Sequence, residues 1–278
     1  MLRIRNLLAR PKWLAGLATL TVIAVAGGLY WLLAIERTGL RPPDGSTMIE
    51  AAQNVSLADV RRTAQVGPHF VKRIDVDLSA LSPAERKRQF ILAMLPLVAR
   101  ENDRIRAERK MLTKAPDALP DSLYARYATE PGDIATLRRR VDIVPASLVI
   151  AQAALESGWG TSRFALNGNN LFGMRTYKAE TKGIAPTSAD GFKLIHFDTL
   201  GHGVEAYMRN LNTHAAYRAF RDARIALRRA GNRPTGTALT ALLTRYSEIP
   251  QEYAKRLRTI ISREKLAALD HVRLARGD

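Results

Sequence analysis

The run Ala154-Leu155-Glu156-Ser157-Gly158-Trp159-Gly160-Thr161-Ser162 ends an apolar helical stretch with a carboxylate, two glycines and a large aromatic. A carboxylate in the last turn of a helix feels the negative end of the macrodipole, and an indole packed on it would withdraw it from water. Both effects favour the neutral carboxyl, the form a general acid needs near neutral pH. Asn167, Asn169 and Asn170 follow, then Leu171-Phe172-Gly173. They supply amides and a backbone open to close approach, which suits polar, uncharged ligands such as sugars. A plainer reading, a capping glutamate beside a core tryptophan, is equally open on these residues alone.

Other chemistries find less support. There is no cysteine, which excludes disulfides, a thiolate nucleophile and cysteine-ligated metal. His69, His196, His202, His214 and His271 form no metal-ligand pattern, and no Gly-x-Ser-x-Gly elbow is present. Gly201-His202-Gly203-Val204-Glu205-Ala206 fits a loose nucleotide-binding pattern, but the alternating strands and helices that pattern needs are missing, so the glycines read as the start of a helix. A formal charge of +17 draws the chain to polyanions of any kind. Arg138-Arg139-Arg140 and Arg228-Arg229 come with no nucleic-acid-reading motif, so anionic lipid and acidic wall peptides are the expected counterparts and nucleic acid is not.

The elements that must position Glu156 are mostly helical. Ser82-Pro83-Ala84-Glu85 is a capping box, and Phe90, Ile91, Met94, Leu95 and Val98 follow at helical spacing. Pro96 should kink this helix, and the charged run 100–110 reads as its solvated continuation. The helix carrying Glu156 should start near Pro145 and end at Gly158. Residues 192–197 form the clearest strand, half of a hairpin with residues near 174–184, and helical patterns return over 200–212, 217–230, 236–246 and 251–269. The fold class is mainly α with a small β-hairpin lobe.

Residues 13–35 are apolar and long enough to cross a bilayer, with Arg3, Arg5, Arg10 and Lys12 before them. This predicts a basic cytoplasmic end over 1–12, a transmembrane signal anchor over 13–35, a linker over 36–81 and a catalytic domain over 82–278. Within the linker, Ile74, Val76 and Leu78 alternate with polar residues as a short extended stretch would. Cleavage after Ala24-Val25-Ala26 is the rival reading. It would leave Leu29, Trp31, Leu32, Leu33 and Ile35 as an apolar mature end, which favours the uncut anchor.

The stretch from Val141-Asp142-Ile143-Val144-Pro145 through Ala151-Gln152-Ala153-Ala154, Glu156-Ser157-Gly158-Trp159-Gly160 and Asn170-Leu171-Phe172-Gly173 resembles the bacterial glucosaminidases of glycoside hydrolase family 73, most closely those of the Bax type. The likeness continues through Val204-Glu205-Ala206-Tyr207, Tyr246-Ser247-Glu248 and Tyr253-Ala254, covering roughly residues 82–270. It implies a lysozyme-like α+β fold with a groove between lobes and cleavage of the β-1,4 bond after N-acetylglucosamine in peptidoglycan. It also implies that Glu156 is the general acid, that Tyr207, Tyr253 and Tyr246 line the groove, and that Trp159, Asn169, Asn170 and Phe172 meet substrate.

Two departures stand out: the cysteine pair common after the Phe-Gly motif is missing, and the second carboxylate has no clear match. Asp190, in an expected turn, is the candidate, ahead of Glu180 and Asp198. No cofactor or metal is implied. The expected partners are peptidoglycan glycan strands and, through the anchor, the bacterial inner membrane, with the catalytic domain in the periplasm. A lytic transglycosylase and a non-catalytic envelope scaffold are the alternatives.

Overall fold

In the computed structural model, which describes residues 47–52, 55–187, 191–243 and 249–275, the chain opens with helices α1 (Met48–Ala52) and α2 (Leu57–Thr63) and strand β1 (Gln65–Val66). These segments are part of the domain. Met48, Val60, Val66, Phe70, Val71, Ile74 and Leu78 are buried in the same core as the later helices, so the linker expected over 36–81 gives way, from residue 47, to packed structure. Each apolar cluster here is too short to show a period, and each is buried by chain far away. Strand β1 pairs in parallel with β5 (Arg273–Leu274), Gln65 opposite Arg273 and Val66 opposite Leu274. Ile74 and Leu78 bury without any strand ladder.

Helix α3 (Pro83–Lys114) begins as the capping box predicts, with the Ser82 hydroxyl accepting from the Glu85 N–H at 3.3 Å. It runs on through Pro96, and every residue from Phe90 to Ala99 is buried. The second half departs from the solvated face expected of 100–110. Glu101 and Glu108 are buried. Helix α4 (Asp121–Arg126) sets Arg126 against this stretch, and Tyr127 just beyond it donates its hydroxyl proton to Glu108 at 2.6 Å. Arg104 bonds Glu101 and reaches Glu108 at 3.2 Å, and Arg126 bonds Glu205 at 2.6 Å. Sequence periodicity did not show this ionic network because its members come from three separate segments.

Helix α5 (Ile134–Arg140) leads to α6 (Ala146–Ser157), whose residues from Ala146 to Ala154 are all buried. An apolar helix buried on every face needs its first N–H groups satisfied from elsewhere. Asp270 does this: it accepts from the Ser147 N–H at 2.8 Å and from the Gly236 N–H at 3.1 Å. After α7 (Arg163–Gly168), the strands β2 (Arg175–Thr176), β3 (Gly183–Ile184) and β4 (Lys193–Ile195) form an antiparallel sheet with β4 central. Leu194 faces Arg175 on one side and Ile184 on the other. The expected hairpin is thus a three-stranded sheet, with both outer strands drawn from residues 174–184.

Helices α8 (Leu200–Thr213), α9 (Arg218–Arg229), α10 (Gly236–Leu239) and α11 (Pro250–Arg263) complete the domain. Helix α10 ends earlier than its pattern suggested: a 3₁₀ turn follows over Thr240–Leu242, and 244–248 lie outside the described residues. The end of the 251–269 pattern is likewise a 3₁₀ turn, Leu266–Leu269. Among the described residues no helix is long and apolar enough to cross a membrane. The span expected over 13–35 lies outside the described residues, as do Asp190 and Tyr246.

Candidate active site

Glu156 sits in the last turn of α6, and the reversal after it depends on backbone freedom. Gly158, Trp159 and Gly160 all take positive φ, at 59°, 59° and 82°, a conformation that glycine adopts without penalty. Ser157 locks the turn by donating its hydroxyl to the Ala153 carbonyl at 2.6 Å and accepting from the Gly160 N–H at 2.8 Å. The reversal aims the Trp159 indole at α3. There it packs edge-on against Phe90 at 5.7 Å between centroids, with the Lys87 ammonium 5.3 Å from its ring centre. These contacts anchor the turn to the long helix.

Glu156 draws its environment from three other places. Its Oε1 accepts from the Tyr253 hydroxyl of α11 at 2.7 Å. The Tyr253 oxygen accepts from the Gln152 amide at 2.9 Å, and the carbonyl oxygen of that amide accepts from the Tyr207 hydroxyl of α8. Phe172 stacks on the Tyr207 ring at 4.0 Å with planes 3° apart. A relay of oriented groups thus runs from the core to the carboxylate. On the other side, Gly173 comes so close that a β-carbon there would lie 3.8 Å from Glu156 Oε2. Gly173 also has φ +65°, so a side chain at this position would be strained, and its β-carbon would rest in van der Waals contact with the carboxylate.

Burial pushes the Glu156 carboxyl above its ordinary range, against the smaller opposing pulls of the Tyr253 hydrogen bond and the Arg175 charge. Burial also pushes the Tyr253 hydroxyl upward, and the neighbouring Glu156 charge adds to it, so this tyrosine stays a hydrogen-bond donor. A raised carboxyl held in one orientation by a neutral hydroxyl has the properties of a proton donor.

The other residues expected at the site divide. Tyr253 reaches the carboxylate directly. Tyr207 is fully buried and acts on it only through Gln152. Phe172 is buried beneath Tyr207. The Asn170 amide is committed to the fold: it donates to the carbonyls of Met174 at 2.8 Å and Ile195 at 2.9 Å and accepts from the Met174 N–H. Asn169 takes the left-handed position that ends α7 and donates to the Phe197 carbonyl at 2.8 Å. These two asparagines tie the Phe-Gly loop to β4 and the start of α8, which places Gly173 beside Glu156. Glu180 and Asp198 are exposed.

Sequence reasoning missed Gln152 and Arg175 as site residues. Gln152 carried a signal, since it lies one helical turn before Glu156 and is the polar exception in a run of buried apolar positions. Arg175 carried none, because its place depends on the pairing of β2 with β4.

A mainly helical domain with a small sheet holds a half-buried glutamate of raised proton affinity beside the sheet-side loop, a build that suits a glycoside hydrolase. Residues 133–266 match the family model described as Glucosaminidase, mannosyl-glycoprotein endo-beta-N-acetylglucosaminidase. The chain is 37% identical over 187 residues to the Protein bax of Escherichia coli (strain K12), an alignment covering 62% of this chain and 67% of that protein. Among solved structures, the catalytic domain of the autolysin Auto from Listeria monocytogenes is similar with a TM-score of 0.40 and 22% identity, over 78% of this chain and 98% of that one. The chain belongs to the glucosaminidase family, as a glycoside hydrolase of the Bax type.

Proposed function

We propose that the protein is a peptidoglycan hydrolase, an endo-β-N-acetylglucosaminidase that cleaves the β-1,4 bond after N-acetylglucosamine, on a lysozyme-like fold. Glu156 protonates the leaving glycosidic oxygen, Tyr253 holds the carboxyl in place, and water completes hydrolysis. The observation that carries this reading is the Glu156–Tyr253 pair: a carboxyl raised by burial and aligned by a hydroxyl rather than by a salt bridge. A carboxylate bound to a cation would be held ionised and would be a poor acid. Residues 13–35 act as a signal anchor in this reading and set the domain in the periplasm, near its polymer substrate.

The test is mass spectrometry of purified peptidoglycan digested by a chain beginning before Met48, since Met48 and Val60 belong to the core, beside its Glu156→Gln variant. Reducing N-acetylglucosamine ends that vanish with the variant are the expected result. Ends carrying 1,6-anhydro-muramic acid would instead make the protein a lytic transglycosylase. Binding without release of fragments by either protein would make it an envelope scaffold.

A further inference from the structure

The sheet presents a cluster that the acid chemistry does not use. Arg175 is exposed on β2, two residues after Gly173, where a β-carbon would meet Glu156, while its neighbour Thr176 is buried. Its guanidinium lies over the Phe192 ring, 4.4 Å from the centre. The register that sets Arg175 opposite Leu194 and Thr176 opposite Lys193 continues to Tyr177 beside Phe192, and their ring centroids are 6.2 Å apart. Tyr177 is 76% exposed, the most exposed of the large apolar side chains among the described residues. Among those residues Arg175 has no carboxylate partner in an ion pair, in contrast to Arg104, Arg126 and Arg228. A guanidinium seated over an aromatic ring keeps its charge and N–H donors, which match a carboxylate.

We propose that Arg175, held on Phe192 beside the Glu156 turn with Tyr177 next to it, is a subsite for a carboxylate carried by the glycan strand. This rests on the peptidoglycan reading above. In that polymer the carboxylate has two sources, the free lactyl group of an unsubstituted N-acetylmuramic acid and the acids of its peptide stem. The subsite also couples binding to chemistry. Among the described residues, the groups that act on the Glu156 carboxyl are Tyr253 from α11 and Arg175 from β2. A substrate carboxylate that pairs with Arg175 cancels its pull, so the acid gains proton affinity when the anionic substrate is in place.

The experiment uses the full chain and Arg175→Gln on three forms of glycan strand: with peptide stems intact, with stems removed by an amidase so that lactyl carboxylates are free, and stripped strands whose lactyl groups are converted to neutral amides. The wild type is expected to show a KM about tenfold lower on at least one anionic form than on the neutral one, as a charge-assisted bond predicts. Preference for the stripped acid over its amide identifies the lactyl group, and preference for the stem-bearing form over both identifies the peptide. In Arg175→Gln this preference should collapse, and Arg175→Lys should restore part of it. In the wild type the alkaline limb of kcat should lie above that of kcat/KM, and in Arg175→Gln the two should coincide. A variant that keeps the wild-type preference, or one that weakens all three strands equally, would overturn the proposal.

Sedimentation of Glu156→Gln and of Glu156→Gln/Arg175→Gln with the same strands reads the subsite without turnover. An absence of glucosaminidase products therefore counts against the reading of the activity, and an absence of charge preference counts against the subsite.

Discussion

Two glutamates in this domain, the buried Glu108 and the half-buried Glu156, each accept a tyrosine hydroxyl, from Tyr127 at 2.6 Å and from Tyr253 at 2.7 Å. Burial raises the proton affinity of both. They differ in their cations. Glu108 shares Arg104 with Glu101, and Arg126 lies 3.6 Å away. Against its own burial, Arg104 is held above its ordinary value by those two carboxylates. Among the described residues Glu156 has no salt bridge, and a glycine rather than a side chain faces its second oxygen. A raised carboxyl is therefore not a functional signature by itself. The carboxylates paired with arginines brace α3, α4 and α8, while the one positioned by a single neutral hydroxyl fits the proton-donor role proposed for it.

The contrast is broken most directly by Glu156→Gln. It should lower kcat by about a thousandfold, the size of a lost general acid, with a thermal midpoint equal to or above that of the wild type. Loss of the fold in this variant would instead put Glu156 in the same bracing class as Glu108. Arg104→Met should act in the opposite way. Leaving Glu101 and Glu108 without their shared cation should cost about 3–5 kcal/mol in denaturant unfolding, with kcat of the folded fraction retained.

Tyr253→Phe sharpens the comparison at the site. It removes the hydrogen bond that lowers the Glu156 pKa, so that pKa rises. An acid catalyst is lost as pH rises through its pKa, so the alkaline limb of kcat/KM should move to higher pH, and looser positioning should lower kcat by about tenfold. Tyr207→Phe acts one bond further away. Leaving the Gln152 carbonyl oxygen short of a donor should cost about 1 kcal/mol of stability and lower kcat only a few-fold.

The bracing pair also sets a pH dependence. Burial is the first cause raising both Glu101 and Glu108 above their ordinary 4.5. A carboxyl whose pKa is higher folded than unfolded binds its proton more tightly in the fold. It therefore adds stability below 4.5 and loses it as pH rises through the folded value. Melting from pH 4 upward should show this decline, and the double change Glu101→Gln/Glu108→Gln should flatten it.

What the sequence disclosed follows from the range of the interactions. The capping box at Ser82, the helix over Glu156 and the glycine-flanked turn are local, and each was readable from spacing. The residue that orients the acid was half-readable: Gln152 lies on the same helix, but Tyr253 reaches it from a segment near the other end of the chain. The segment 47–81 looked like a tether because its apolar clusters are short, and only the partners supplied by α3 and β5 make it part of the core. The charged run 100–110 looked solvated for the same reason, its counter-charges Arg126 and Glu205 coming from α4 and α8. Asn169 and Asn170 stood out as special from their types and spacing, and the bonds of the Asn170 amide to Met174 and Ile195 and of the Asn169 amide N–H to Phe197 depend on chain further on.

The parallel pairing of Gln65 and Val66 with Arg273 and Leu274 has a bearing on biosynthesis. A growing polypeptide leaves the ribosome from its N-terminal end, so β1 waits for a partner translated long after it. Asp270, which caps the helix carrying the acid, arrives equally late. A chain stopped before residue 270 thus has neither the paired edge nor the cap on the helix that carries Glu156.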